Sequence, residues 1–357
     1  MMHKPRHLMP RRWQFQTAAV ACLAATMLGL SLLLVPALDG VPTSRLAIGK
    51  GVVAEAGTPA LTPSAAAPST RTPTTTASPT PTATASPTPT ATASPPAGPS
   101  GFNEVTQTVT IGSMVRTYIT FNPVQPASAH IPALVVLHGL AVTPDQEANR
   151  DGLLGLAAAG AAVVVYPAGY LESWNSGSCC GSAQTAGIDD VDFVATLLRQ
   201  AAANPQVAGT YLIGYSSGGK AAYRVACTDP SLLTALIAVA AVPGTTCRAG
   251  APVSLLQVAA TADPRVSYSS TQATFTLNGF KESTVTTEVA TWRSRDGCTT
   301  APTAASAGSL TTQVWGCAAG TRVELATYAG GSHAWPAGST GTPSGAKVIW
   351  QFVTSAP

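Results

Sequence analysis

Residues 214–218 read Gly-Tyr-Ser-Ser-Gly, directly after the apolar run Thr210-Tyr-Leu-Ile213 and directly before apolar residues at helical spacing. A serine with glycines two positions away on each side suits a sharp strand-to-helix turn that exposes the hydroxyl at the end of a buried strand. The chain there presses on its neighbours, and a Cβ at either glycine would collide. The register selects Ser216, because Ser217 has Tyr215 two positions before it. A serine nucleophile needs a general base and a group that orients the base. Of the five histidines, His3 and His7 lie in a basic N-terminal stretch, leaving His130, His138 and His333. His130 sits among loop residues. His138 stands in the turn after an apolar run, where a backbone amide is wanted more than a base. His333 lies in the Gly-rich stretch Gly330-Gly-Ser-His-Ala-Trp-Pro336, after the last strand-like run, where the base belongs in the order serine, acid, histidine.

For the acid, the choice is among Asp229, Asp263, Glu282, Glu288, Asp296 and Glu324. Only Asp263 follows an apolar run (253–259) within a short turn, Ala260-Thr-Ala-Asp-Pro264. A carboxylate there would fix the histidine tautomer and stabilise its imidazolium. The developing oxyanion needs two N–H donors, assigned to the backbone amides of Ser217 and Leu140. Trp174, Tyr215 and Trp335 are the candidates for a substrate pocket, with core packing as the alternative for the tryptophans.

These residues require a particular scaffold. Runs 105–111 and 114–121 alternate apolar and polar around Gly112-Ser113 and predict a hairpin. Runs 133–137 and 162–166 are continuously apolar, as in buried parallel strands. Helical patterns over 145–159, 188–203, 217–227, 288–295 and 345–353 interleave with strand-like runs at 211–214, 233–240, 253–259, 311–315 and 322–326. An antiparallel hairpin followed by β-α repeats predicts an α/β architecture with a doubly wound, mostly parallel sheet.

That scaffold occupies residues 101–357. Residues 1–17 are basic, and 18–38 are almost wholly apolar and long enough to cross a bilayer. The segment reads as a signal anchor, or as a cleaved signal peptide; both imply export, and the uncleaved form implies a membrane tether. Residues 39–100 form a Pro/Thr/Ser-rich linker in which Ala-Ser-Pro-Thr-Pro-Thr-Ala-Thr occurs at 77–84 and 85–92, a spacer with little to bury. Net charge is +3, much of it at the N-terminus, and no basic cluster with interleaved aromatics marks a nucleic-acid surface. Of seven cysteines, Cys22 lies in the apolar segment. The other six predict disulfides: Cys298 with Cys317, and Cys179 and Cys180 each with one of Cys227 and Cys247. No two have the spacing of a zinc site, and the chemistry implies neither metal nor cofactor.

Residues 103–355 resemble the exported α/β-hydrolases grouped as polyhydroxybutyrate depolymerase-like and feruloyl-esterase-like enzymes. The resemblance rests on Leu134-Val-Val-Leu-His-Gly139, Val163-Val-Val-Tyr-Pro167, Ser173-Trp-Asn175 with Cys179-Cys-Gly181, and Asp189-Asp-Val-Asp-Phe193. It continues through Ile213–Gly219, Ala222–Cys227, Thr261-Ala-Asp-Pro264 and Gly331-Ser-His-Ala-Trp-Pro336. It implies an α/β-hydrolase fold without a large cap, the triad Ser216, Asp263 and His333, and hydrolysis of carboxylic esters through an acyl-serine. Feruloyl or acetyl polysaccharide esters and short hydroxyalkanoate oligomers both suit it. Acyl transfer or peptide hydrolysis by the same triad, and a non-catalytic binding protein on this scaffold, are the alternatives.

Overall fold

A computed structural model describes residues 101–247 and 250–355. The basic segment, the apolar segment and the linker lie outside the described residues, within which no helix is long and apolar enough to cross a membrane. The chain runs β1 (Phe102–Ile111), β2 (Met114–Pro123), β3 (Ile131–Leu137), α1 (Pro144–Asp151), α2 (Leu154–Ala158), β4 (Val163–Pro167), α3 (Gly181–Thr185) and α4 (Asp190–Ala202). It continues through β5 (Val207–Tyr215), α5 (Ser217–Thr228), β6 (Ala235–Val239), β7 (Ser254–Ala260), a small hairpin of β8 (Thr276–Leu277) and β9 (Phe280–Lys281), and α6 (Val285–Arg295). It closes with β10 (Thr303–Ala307), β11 (Leu310–Gly316), β12 (Arg322–Tyr328) and α7 (Gly345–Thr354).

Ten strands form one sheet in the order β1-β2-β4-β3-β5-β6-β7-β12-β11-β10. The six from β4 to β12 are parallel, and an antiparallel pair closes each edge. β6 and β7 are buried along their whole length, which is why their sequences do not alternate. One core layer packs α4, α5 and α6 on the sheet through Phe193, Leu197, Tyr223, Val289 and Trp292. The other packs α1, α2 and α7 through Ala148, Leu156, Val348, Ile349 and Phe352. This is the α/β-hydrolase fold. No large cap interrupts it: the β6–β7 connection carries no helix or strand among its described residues, and between β7 and α6 there is only the β8–β9 hairpin.

Two expectations change. The helix predicted over 145–159 is split into α1 and α2, because Gly152 takes φ +78° and ends the first by the left-handed route. The disulfides pair differently from the expectation for Cys179 and Cys180. Cys298–Cys317 is present as predicted, but Cys227 joins Cys247 and Cys179 joins Cys180. Cys227 ends α5 at 5.1 Å Cα–Cα from Cys247, an ordinary bridging distance, so each satisfies the other. The segment carrying Cys179 and Cys180 is folded on itself, with Cys180 N–H donating to Trp174 O (2.9 Å) and the Ser176 hydroxyl to Cys179 O, which leaves these neighbours to each other.

Candidate active site

Ser216 occupies the junction of β5 and α5 with φ 53° and ψ −118°. A non-glycine residue in that region is strained and persists only when its surroundings enforce it. The enforcement is steric. A Cβ on Gly218 would lie 2.3 Å from Leu137 O and 2.5 Å from His138 O, and one on Gly214 would lie 2.3 Å from Gly218 O. The glycines therefore let α5 start hard against the ends of β3 and β5, which turns Ser216 outward.

His333 reaches this serine from the loop after β12. Its Nε2 lies 2.8 Å from Ser216 Oγ, and its Nδ1 lies 2.8 Å from Asp263 Oδ2 and 3.1 Å from Oδ1. Asp263 is buried in the turn after β7, where Oδ1 also accepts from the amides of Arg265 (2.7 Å) and Val266 (3.0 Å). An ionised carboxylate can only accept, whereas the hydroxyl can donate, so the ring carries its proton on Nδ1 and presents Nε2 to the Ser216 hydroxyl. Three side chains separated by up to 117 positions thus form one hydrogen-bonded line.

The loop after β3 is held just as firmly. His138 is buried, with Nδ1–H donating to Gly139 O (2.8 Å) and Nε2 accepting from Gly169 N–H (2.9 Å). Burial lowers its pKa to about 4, with Arg150 and Arg116 pushing the same way against the Gly139 bond. It is a neutral brace. On either side of Leu140, Gly139 N–H donates to Glu147 Oε2 (3.0 Å) and Ala141 N–H to Glu172 O (2.9 Å). Among the described residues neither Leu140 N–H nor Ser217 N–H, at the start of α5, has an acceptor. These are the two amides assigned to the oxyanion.

The aromatic candidates fall into different places. Trp174 is fully buried and its indole N–H donates to His138 O (2.9 Å), so it braces the β3 loop and has no surface for a substrate. Tyr215 is also buried; its hydroxyl donates to His333 O (3.0 Å) and its ring stacks on Trp335 (5.7 Å, 25°). Trp335 is half-buried and borders a cavity of about 230 Å³ beneath the His333 loop. His130 is exposed, away from the site, on Pro205 O.

Sequence reasoning missed the charged residues that fasten these loops. Glu147 and Arg150 on α1 join the β3 loop to Trp335, and a buried Lys220–Glu282 pair ties α5 to the segment after β9. Arg116 on β2 bonds the buried Asp190 at 2.8 Å, and Asp190 also accepts from Asn175 N–H (2.7 Å). Asp189 caps α4, whereas Asp190 anchors the Trp174 loop. The Glu147–Arg150 spacing on a short polar helix was the only available signal.

No family model matches the chain, so the polyhydroxybutyrate depolymerase-like resemblance is not carried by such a match. A curated protein, "Putative esterase NocK" of Nocardia uniformis subsp. tsuyamanensis, is 28% identical over 254 residues, covering 65% of this chain and 74% of that protein. Among solved structures, an acetyl xylan esterase from Aspergillus awamori aligns with TM-score 0.48 and 14% identity, over 64% of this chain and 94% of that one. A ferulic acid esterase from the anaerobic fungus Anaeromyces mucronatus aligns with TM-score 0.46 and 13% identity, over 72% and 90%. Among the described residues no group of three or more His, Cys, Asp or Glu could hold a metal ion.

Proposed function

We propose that this protein is an exported serine esterase, on the strength of one observation: His333 bridges Ser216 and Asp263 at 2.8 Å on each side. The Ser216 oxygen attacks an ester carbonyl carbon while His333 Nε2 takes the hydroxyl proton. Asp263 holds the Nδ1 proton in place and offsets the imidazolium charge. The tetrahedral oxyanion faces the amides of Ser217 and Leu140, fixed donors that need no reorganisation. His333 returns its proton to the leaving alcohol oxygen, and water repeats the sequence on the acyl-Ser216 ester to release the acid.

The similarity to a protein named as a putative esterase supports the ester class. Leu140, Leu171 and Phe275 are exposed on the loops after β3, β4 and β7, the end of the sheet that also carries Ser216, and apolar side chains there would suit feruloyl, acetyl or hydroxyalkanoate groups. Three disulfides support an oxidising compartment. The test is hydrolysis of p-nitrophenyl acetate, p-nitrophenyl butyrate and methyl ferulate by wild type beside Ser216→Ala. Turnover that survives in the alanine variant would refute the assignment, and the acyl preference chooses between polysaccharide and polyester substrates.

A further inference from the structure

Glu147 is fully buried in α1, and its carboxylate takes four N–H donors. Oε2 accepts from Gly139 N–H at 3.0 Å and Arg150 Nη2 at 2.6 Å; Oε1 accepts from Arg150 Nε at 3.2 Å and from the Trp335 indole. Gly139 immediately precedes the Leu140 amide, and Trp335 stands two residues after His333. Arg150 neutralises the carboxylate and lies 4.5 Å above the Tyr215 ring, one residue before Ser216. One side chain therefore touches the segments that carry the oxyanion donor, the base and, through Arg150, the nucleophile.

The His333 loop needs such a tie. A cavity of about 230 Å³ borders it, lined by Val258 and Tyr328 and by small groups such as Ala240, Ala259 and Ala260, so packing supports the loop only in part. Its first residues are tied to the end of β7, with Gly330 N–H donating to Thr261 Oγ1 (2.9 Å) and Gly331 O accepting from Ala262 N–H (3.1 Å); further along, the ties are Asp263 and Tyr215 to His333, the Trp335 indole to Glu147, and Gly345 N–H to Pro336 O (2.7 Å).

Resting on the esterase reading above, we infer that Glu147 is a positioning residue: it sets the oxyanion donor and the general base in register with each other. A carboxylate bound by four donors can do this where an amide cannot, because the amide nitrogen repels the N–H groups it would replace. Glu147 touches no substrate atom, so its effect belongs to the chemical step.

The test compares wild type, Glu147→Gln, Trp335→Phe and the double variant on p-nitrophenyl butyrate, with active sites counted by fluorophosphonate titration. A misplacement of the reacting groups of order 1 Å lowers kcat per active site by about 10- to 100-fold in Glu147→Gln, with KM little changed. Inhibition by a boronic acid, which forms a tetrahedral adduct on Ser216, weakens by a similar factor. Trp335→Phe keeps the ring and loses only the donor, so its loss is smaller, and the double variant is no worse than Glu147→Gln alone. Unchanged kcat and boronate affinity in Glu147→Gln, or single losses that multiply in the double variant, would overturn the inference. If Glu147→Gln does not fold, Trp335→Phe decides: kcat per active site and boronate affinity equal to wild type overturn it. Wild type without turnover or a Ser216 adduct would instead remove the esterase reading, and this inference with it.

Discussion

Asp151 ends α1 in the buried layer behind the site, with Oδ2 accepting from the Tyr166 hydroxyl (2.8 Å) and Oδ1 from Leu153 N–H (2.7 Å). Burial, with Glu147 adding to it, raises its pKa from 3.8 to about 7, against the Leu153 and Tyr166 bonds and Arg150. The folded state therefore keeps a proton that the unfolded chain gives up near pH 4. The stability Asp151 supplies is full below about pH 4 and falls as pH rises towards 7, where the folded group also ionises. Over three pK units the loss is about 4 kcal/mol, of which about 2–3 kcal/mol falls between pH 5 and pH 8. His138 works the other way: held near pKa 4, it costs stability as pH drops below about 6.5. Wild type alone would show the two opposed and partly hidden. Asp151→Asn separates them, because the amide can accept from Leu153, donate to Tyr166 and never ionises, while His138 is common to both proteins. Urea denaturation at pH 5 and pH 8 should show the variant gaining about 2–3 kcal/mol on wild type over that interval. Parallel pH dependences would refute the reasoning, since they require Asp151 to ionise in the folded protein as it does in the unfolded chain.

Gly218→Ala places a Cβ against two backbone carbonyls that cannot step aside, so α5 must withdraw from β3 and carry Ser216 and the Ser217 amide with it. Thermal melting should fall by about 5–10 °C, and kcat/KM by about 100-fold or more. Ser217→Ala is the contrasting case. The Ser217 hydroxyl is buried without a hydrogen-bond partner among the described residues, while its amide is the proposed oxyanion donor. The variant should keep ester turnover and gain up to about 1 kcal/mol in chemical denaturation; lost turnover would mean that the hydroxyl is used.

The strand-to-helix turn was readable because its glycines answer a purely local steric demand. The parallel core was readable because β6 and β7, buried on both faces, leave an unbroken apolar run. His333 and Asp263 could be placed by elimination, few histidines and few strand-end carboxylates being present. The ties between loops were not readable. Glu147 to Trp335 spans 188 positions and Lys220 to Glu282 spans 62, and both carboxylates sit on polar stretches that look solvated until the fold closes over them. The Cys179–Cys180 pairing was missed for a related reason: spacing suggests loops to be closed and says nothing of a bridge between neighbours. The β10 strand, exposed along nearly its whole length and rich in alanine, carried no apolar alternation.

The most direct test of the central claim is to react the protein with a fluorophosphonate and locate the adduct by peptide mass spectrometry. One adduct is expected, on Ser216, abolished by Ser216→Ala and by His333→Ala. An adduct on Ser217, or a folded protein with intact disulfides that takes up no label, would contradict it.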